Sequence, residues 1–449
     1  MNKIPVIILL LLVTCKAFTQ EWTALQTTNW ESVVSLAKSQ NKMILLDCFA
    51  TWCIPCKQME KEVFSAQQVQ RFFHEKFLLV KIQMDTTAHD DPLVRSWYSF
   101  AHSIQQQYKI DNVPAYLFFN ADGKIVHKGL GYMNEQDFIL LGNQALNPDE
   151  QYFTLLEAYQ ENSLQPEALQ KLAIQALHFD DGETALAVAR EYKQKYLDEL
   201  PPDAICKIDN LQFITDFYQL IHSQDPFFKL FYNQPQRVNQ IMTTISPLHA
   251  NYAENRIKYV INKEEVEPQL WKGDQPLTRS PNWAKIKRKI IHDYNREYAD
   301  AVIQEAQLKF YRRIEDWRKY SGLKDERIKK VPPKTKNEED GNWMGDAWDL
   351  NVAAWDMFQH CSDKKVLRRA LGWSNLSIVI DAPDPNVQFY DTKANLLYKL
   401  GKVKEAILCE QKAITEGIIN AKKRGIDKGD FYDEYNEILK KMKSGEPTW

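Results

Sequence analysis

Two cysteines separated by two residues are the part of this sequence best suited to chemistry. They are Cys53 and Cys56, and with their neighbours they read Trp52-Cys53-Ile54-Pro55-Cys56-Lys57. A C-x-x-C pair is either half of a zinc site or a pair that is reversibly oxidised. A zinc site needs two further ligands, but the other cysteines are isolated and the nine histidines form no pair at ligand spacing. The spacing therefore favours a redox pair, and we expect no metal site.

The residues around the pair indicate a strand followed by a helix. Residues 43–50 are an apolar run typical of a buried strand, and residues 56–77 carry apolar side chains at helical spacing. Cys53 then lies at a helix N-terminus, where free N–H groups and the helix dipole stabilise a thiolate, the nucleophile of thiol–disulfide exchange. We expect Cys53 to attack and Cys56, one turn further in and more buried, to resolve the mixed disulfide. Pro55 suits the first turn.

The alternation of strands and helices continues beyond the cysteine pair. It consists of a strand, a helix, a second apolar run, a turn with the Asp-Gly hairpin signal, a returning strand and a closing helix, at residues 77–85, 93–108, 110–119, 120–124, 125–127 and 135–146. This order predicts an α/β domain that ends in an antiparallel pair of strands.

Residues 22–147, under a third of the chain, resemble the thioredoxin family. The motifs that carry the resemblance are Asp47-x-x-Ala50-x-Trp52-Cys53-x-Pro55-Cys56-Lys57, Val80-Lys81-Ile82-x-x-Asp85, Val113-Pro114, Asp122-Gly123-Lys124 and Gly131, in family order. The segment is similar to the periplasmic thioredoxin-like domains of thiol:disulfide interchange proteins. The resemblance implies a thioredoxin fold, no cofactor besides the redox-active Cys53–Cys56 disulfide, and two kinds of partner: protein thiol or disulfide clients and an upstream redox partner.

The resemblance also implies a binding surface for the client. Pro114 is expected to be cis and to face the disulfide, and Val113 to offer its backbone to an extended client peptide. Trp52 is expected to cover the site. Ile54 and Pro55, the two residues between the cysteines, complete this surface and tune the reduction potential.

Two charged residues are implied to assist the chemistry. Asp47 matches a buried acid behind Cys56, and Lys81 matches the partner of that acid. A buried carboxylate has a raised pKa, so Asp47 is expected to take the proton of Cys56. A buried pair with a purely structural role is the alternative for Asp47 and Lys81.

The chain departs from the family in two places. Ile54 stands where ordinary thioredoxin has glycine, and no histidine lies between the cysteines. Family members with proline at the second middle position tend to be reductants, so a reductase is favoured over an oxidase or an isomerase. The segment at residues 86–105 is longer than the family core needs, and its residues 86–97 indicate an insertion near the rim of the active site.

The N-terminus predicts export. Residues 1–19 are expected to be a signal peptide, because Lys3 precedes an apolar run at 4–13 that is too short to span a bilayer. A lipid anchor at Cys15 is a less favoured alternative. We expect the periplasm of a Gram-negative bacterium, with no integral membrane segment after the signal peptide is cleaved.

The rest of the chain predicts helices. The expected domains are a thioredoxin-like domain at 20–148, a helical domain at 149–321 with one long helix over 282–320, a linker at 322–345 and a helical domain at 346–449. The last resembles a tetratricopeptide repeat, through Ala394, Leu397-Tyr398, Leu400-Gly401 and Ala406. The fold class is therefore multidomain, an N-terminal α/β thioredoxin fold followed by a mainly α-helical region that resembles helical repeats.

Composition limits the possible functions. The 449 residues include 57 Lys and Arg against 60 Asp and Glu, a net charge of −3, so we expect no nucleic-acid partner. Two functions remain open. One is an exported thiol:disulfide oxidoreductase whose helical region binds partners. The alternative is a helical-repeat interaction scaffold or holdase with an incidental redox pair.

Overall fold

A computed structural model describes residues 29–335, 345–425, 427–429 and 431–449. The chain divides into two compact units, the first ending at Leu200 and the second beginning at Pro201. The expected signal peptide and the alternative anchor at Cys15 lie outside the described residues. No helix in the described part of the chain is long and apolar enough to cross a membrane.

A four-stranded mixed sheet forms the centre of the first unit. Its strands are β1 (Met43–Phe49), β2 (Phe77–Gln83), β3 (Ala115–Phe119) and β4 (Ile125–Leu130). Their order across the sheet is β2-β1-β3-β4. β1 is parallel to β2 and antiparallel to β3, and β3 is antiparallel to β4. β1 is therefore a central strand, paired along both edges.

Helices surround this sheet. They are α1 (Trp30–Gln40), α2 (Ile54–Gln58), a π-helical turn (Met59–Val63), α3 (Gln67–Lys76), α4 (Pro92–Ser96), α5 (Tyr98–Tyr108), α6 (Glu135–Leu146), α7 (Tyr152–Gln160), α8 (Pro166–His178) and α9 (Gly182–Lys195). The alternation of elements and the closing antiparallel pair agree with the sequence pattern.

The side chains of β1 explain why helices cover both faces of the sheet. Successive residues of a strand point to opposite faces. Ile44 and Leu46 pack on one face with residues of α1 and α5. Leu45 packs on the other face with residues of α3 and α6. All three side chains are fully buried, so the strand is fixed from above and below.

The helices that follow the sheet belong to the first unit. The backbone N–H of Tyr152 donates to Nδ1 of the buried His127 on β4, at 3.0 Å, and the Tyr152 hydroxyl donates to Asp181 at 2.8 Å. Lys128, also on β4 and buried, donates to the carbonyl oxygen of Phe179 at 3.2 Å. The boundary expected after residue 148 is therefore a change from α/β to helical structure and not the end of the compact unit.

The second unit is helical apart from a two-stranded ribbon. Its helices are α10 (Pro202–Ile205), α11 (Ile208–Asp216), α12 (Pro226–Asn233), α13 (Pro235–Thr243), α14 (Tyr252–Ile261), a π-helical turn (Asn262–Val266), α15 (Glu267–Leu270), α16 (Trp283–Asp293), α17 (Arg296–Arg313), α18 (Trp317–Lys330), α19 (Gly345–His360), α20 (Lys364–Ile380), α21 (Val387–Lys399), α22 (Val403–Lys423) and α23 (Tyr432–Ser444); the ribbon is β5 (Trp271–Lys272) and β6 (Gln275–Pro276). An α/β domain followed by a mainly helical region is therefore confirmed.

The long helix expected over 282–320 is wrong, because two breaks divide it into α16, α17 and α18. At the first break Asn295 caps α17, since its side chain accepts from the N–H of Tyr298 at 2.8 Å. At the second, Glu315 adopts a positive φ of 57° and Asp316 caps α18. Asparagine and aspartate are favoured helix caps, so these local signals could have located both breaks.

The linker expected at 322–345 is also wrong in its first part, since α18 continues through residues 322–330. The indole N–H of Trp373 on α20 donates to the carboxylate of Asp325 on α18, at 2.8 Å. This tertiary bond and the burial of the Trp373 ring hold α18 in place. The remainder of the linker, from residue 336 to 344, lies outside the described residues.

The residues that resemble a tetratricopeptide repeat form a helical hairpin. α21 and α22 are joined by a short turn in which Gly401 has a positive φ of 85°. Ala394 and Ala406 are fully buried in one apolar cluster. Small residues at these two positions let the helices approach closely. Membership of the repeat family stays a prediction.

The same hairpin buries two acids that face each other. Asp391 lies on α21 and Glu410 on α22, with 7% and 0% of their surfaces exposed. No hydrogen-bond partner satisfies the Glu410 carboxyl oxygens within the described residues, and the Asn395 amide donates to Asp391 at 2.8 Å. Burial raises the pKa of both acids, and the charge of Glu434 on α23 raises it further. The folded hairpin therefore favours the protonated forms of these two acids.

This pair predicts that the second unit loses stability as the pH rises. The carboxyl groups of the unfolded chain lose their protons near pH 4, whereas the folded chain retains them. Each retained proton therefore lowers the free energy of unfolding by up to about 1.4 kcal/mol for every pH unit above that point. Glu410→Gln removes one of these protons. We expect this variant to unfold with a smaller pH dependence between about pH 6 and pH 9 in scanning calorimetry. The exposed Glu437→Gln is the matched control, and an equal slope in both variants would contradict the prediction.

Candidate active site

The two cysteines lie where β1 ends and α2 begins. They form a disulfide, and Cys53 is the N-cap residue of α2. The backbone N–H of Cys56 points at the Cys53 sulfur, with a distance of 3.1 Å from N to Sγ. A thiolate on Cys53 would accept this N–H and meet the positive end of the helix dipole. The local geometry therefore favours Cys53 as the nucleophile.

The burial of the two cysteines differs from the expectation. Cys56 was expected to be the more buried residue, but 8% of Cys56 is exposed against 1% of Cys53. The cause is a tertiary contact, because Cys53 Sγ lies 3.5 Å from the carbonyl oxygen of Val113. Phe49 and Val113 pack against the pair. Spacing along a helix could not reveal a loop that covers Cys53.

The loop that covers Cys53 carries the expected proline. The Val113–Pro114 peptide bond is cis, as the resemblance implied. Pro114 is buried and Val113 is half-buried. The Pro114 carbonyl oxygen accepts from the N–H of Gly131 at 2.8 Å, and Gly131 has a positive φ of 81°, a backbone conformation that favours glycine. β4 therefore anchors this loop beside the disulfide.

The residues on the other side of the disulfide face solvent. Trp52 and Ile54 are 70% and 69% exposed, and Pro55 is exposed as well. These side chains place apolar surface next to a buried disulfide. Exposed apolar surface of this kind is typical of sites where another polypeptide binds. The expected role of Trp52 in covering the site stays a prediction.

Asp47 lies inside the sheet, directly opposite Lys81 on the neighbouring strand. Asp47 is 2% exposed, on β1, and Lys81 is its register partner on β2. Burial raises the pKa of Asp47 to about 7; the charge of Lys81 lowers it and that of Glu60 raises it. A carboxyl group with a pKa near neutrality can both accept and release a proton. That Asp47 takes the Cys56 proton stays a prediction.

Lys81 has a different ion-pair partner from the one expected. Its ammonium group lies 3.0 Å from a carboxylate oxygen of Glu60, and 4.6 Å from the centre of the Phe49 ring. Lys81 therefore acts on Asp47 only through longer-range attraction. Sequence reasoning missed Glu60, although it lies four residues after Cys56 and so near the same helical face.

The other cysteines that the structure describes are not part of the site. Cys48, Cys206 and Cys361 are free and buried, and Cys409 is free and half-buried. Burial and the charge of Asp47 raise the pKa of Cys48. Its thiol is therefore a packing group, as expected.

Comparison with known proteins identifies the first part of the chain. The thioredoxin-like domain family matches residues 30–146, about a quarter of the 449 residues. The match contains β1 to β4, both cysteines and the cis-proline loop.

Residues 30–146 form a thioredoxin-like domain.

The curated relatives of this domain are larger proteins. The chain is 33% identical over 108 residues to the thiol:disulfide interchange protein DsbD of Yersinia enterocolitica, a match that covers 23% of this chain and 17% of the relative. It is 32% identical over 106 residues to DsbD of Cronobacter sakazakii, with the same coverage. The chain thus spans about a sixth of the length of these relatives.

Two solved structures are also similar. One is the C-terminal domain of Neisseria meningitidis DsbD in the oxidised form, at 21% identity over 26% of this chain and 90% of that chain, with a TM-score of 0.21. The other is the DsbH oxidoreductase, at 19% identity over 28% of this chain and 85% of that chain, with a TM-score of 0.24.

The pKa of Asp47 predicts a pH dependence for the thioredoxin-like domain. Its carboxylate can accept the Cys56 proton only when it is ionised, which requires a pH above about 7. We expect the rate of disulfide reduction to rise as the pH passes this value. Asp47→Asn should remove the rise and slow the reaction by about a hundredfold at alkaline pH, the lower end for general-base catalysis.

A pH–rate profile with oxidised glutathione measures this effect. Asp122→Asn is the control, because Asp122 is an exposed acid of the same domain. If both variants keep the wild-type profile, Asp47 has the purely structural role.

Proposed function

We propose that this protein is an exported thiol:disulfide oxidoreductase that reduces disulfides in client proteins. The observation that carries the proposal is the Cys53–Cys56 disulfide at the N-terminus of α2, with the Cys56 N–H directed at Cys53 Sγ. The disulfide lies in the thioredoxin-like domain, and relatives whose names describe thiol:disulfide interchange match about a quarter of the chain. The buried acid Asp47, whose pKa burial raises to about 7, is the proposed proton acceptor.

The proposed reaction begins with the reduced enzyme. The Cys53 thiolate attacks one sulfur of a client disulfide, so that a bond forms between Cys53 Sγ and that sulfur and the client S–S bond breaks. The leaving client thiolate takes up a proton. Cys56 gives its proton to Asp47 and attacks Cys53 Sγ. This step closes the Cys53–Cys56 disulfide and releases the second client sulfur as a thiolate, which takes up the proton that Asp47 received. Two electrons and two protons thereby pass to the client.

The client is proposed to bind along the cis-proline loop. The half-buried Val113 lies directly over Cys53 and is positioned to pair its backbone with an extended segment. Pro114 holds the loop, while Trp52, Ile54 and Pro55 supply the exposed apolar contact. Lys81 contributes through its effect on Asp47.

The direction of the reaction requires a partner that returns electrons. A reductase ends each cycle with an oxidised pair and needs two electrons from an upstream thiol donor. The proposal places the protein in the periplasm, where such a donor reaches clients with disulfides. Similarity to proteins named for thiol:disulfide interchange supports this location.

The helical region is proposed to bind clients or redox partners. The support is two large apolar side chains that the hairpins of the second unit expose to solvent. These are Val379 on α20, 66% exposed, and Leu408 on α22, 67% exposed. A scaffold or holdase with an incidental redox pair would use the same surfaces without needing either cysteine.

Trapping of mixed disulfides tests the exchange reaction. Cys56→Ser leaves the attacking thiol and removes the resolving one, so we expect it to accumulate a mixed disulfide with an unfolded disulfide protein. Cys53→Ser should accumulate none and should lose at least 99% of the reductase activity, because no attack occurs. Cys409→Ser is the matched control, since Cys409 is free and outside the site. Full biological activity in Cys53→Ser would instead support the scaffold.

The reduction potential tests the direction. Equilibration of the Cys53–Cys56 pair with dithiothreitol should give a value near that of thioredoxin, about −270 mV. A value near about −120 mV would identify an oxidant and contradict the proposed reductase.

A further inference from the structure

The residue before Trp52 is held by a single carboxylate. The backbone N–H of Thr51 donates to Asp85 at 3.0 Å, and the Thr51 hydroxyl donates to the other oxygen of the same carboxylate. Thr51 lies in a tight turn that the Cys53 N–H closes by donating to the Ala50 carbonyl oxygen at 3.1 Å. Asp85 therefore holds the turn that presents the attacking cysteine.

The position of Asp85 is itself fixed by Gln83, the last residue of β2. The Gln83 amide donates to the Asp85 carbonyl oxygen at 3.0 Å and to the Asp90 carboxylate at 2.8 Å. The Met84 N–H donates to the Phe49 carbonyl oxygen at 2.8 Å, which continues the pairing of β1 with β2. A chain of hydrogen bonds thus connects Asp90 to the active-site turn.

Asp90 is the centre of the insertion at residues 86–97. Its carboxylate accepts from the Thr87 N–H at 2.8 Å and from the hydroxyl groups of Thr87 and Tyr98. The Arg95 guanidinium donates to the Asp90 carbonyl oxygen at 2.8 Å and to that of Ala88 at 3.1 Å. The pKa of Asp90 is lowered to about 2, and the hydrogen bond from the Thr87 side chain is the largest cause. The carboxylate therefore stays charged and keeps one orientation.

Core packing holds only the inner part of the turn, where Ala50 and Cys53 are buried. Trp52 and Ile54, the side chains that flank Cys53, are 70% and 69% exposed. A side chain that is mostly exposed contacts few neighbours and restrains its backbone little. The hydrogen bonds to Thr51 are then the main restraint on the outer half of the turn.

We propose that the insertion at 86–97 is a brace for the active-site turn, and that Asp90 and Asp85 are positioning residues that hold Trp52 for the client. This inference rests on the proposed function for its kinetic consequence. A preformed turn lowers the ordering cost when an extended client binds. Small disulfides, which need little contact beyond Cys53, should depend on the brace far less.

Kinetics with two substrates test the proposal. In Asp90→Asn, an NH2 group replaces one carboxylate oxygen. This group cannot accept a hydrogen bond, so the bond from Gln83 or from Thr87 is lost. We expect the KM for insulin to rise threefold to about tenfold, the effect of one hydrogen bond. The rate with oxidised glutathione should change less than twofold. Asp85→Asn should give the same split between the two substrates.

Asp91→Asn is the matched control. Asp91 is the next residue of the insertion, and it caps α4 by accepting from the Val94 N–H at 2.9 Å. Its replacement disturbs the insertion without touching Gln83. An insulin KM that rises equally in Asp91→Asn and Asp90→Asn would overturn the brace, because the effect would then be general loosening.

Amide hydrogen exchange tests the brace without any enzyme assay. In the full chain, the Thr51 amide should exchange threefold to about tenfold faster in Asp90→Asn than in the wild type and in Asp91→Asn. Equal exchange in all three proteins would overturn the brace. If the wild type reduces neither substrate but exchange at Thr51 still responds to Asp90, the proposed function fails and the brace survives.

Discussion

The burial of β1 in the middle of the sheet is the constraint on which the rest of the site depends. The strand pairs along both edges and packs helices on both faces, so its end cannot shift without breaking several contacts. The cysteine pair follows directly from that end. Cys53 is thereby placed at a helix N-terminus whose position is as rigid as the core, and the helix supplies the N–H that faces its sulfur.

The same burial raises the pKa of Asp47. Asp47 belongs to β1 and is almost completely buried, so ionising it costs several kcal/mol relative to an exposed carboxyl group. Lys81 offsets part of that cost from the neighbouring strand, but Glu60 engages the Lys81 ammonium directly. The three charges together leave the pKa of Asp47 near neutrality. A carboxyl group that is poorly accommodated as an anion is useful as a proton acceptor for a thiol.

The site also depends on polar contacts at its rim, where the core does not reach. The cis-proline loop is tied to β4 through Gly131, and the active-site turn is tied to the end of β2 through Asp85. Both ties leave the apolar side chains of Trp52 and Ile54 free for a partner. Rigid backbone with exposed apolar side chains is an arrangement that lowers the entropy cost of binding a polypeptide.

Local patterns in the sequence determined the element order, the redox pair and its place between strand and helix. These could be predicted because hydrophobic periodicity, the C-x-x-C spacing and the Asp-Gly turn are properties of adjacent residues. Tertiary structure alone decided that Val113 covers Cys53, that Glu60 forms the ion pair with Lys81, and that α7 to α9 belong to the first unit. Each of these depends on contacts between residues that are far apart in the sequence. Local periodicity carries no information about such contacts.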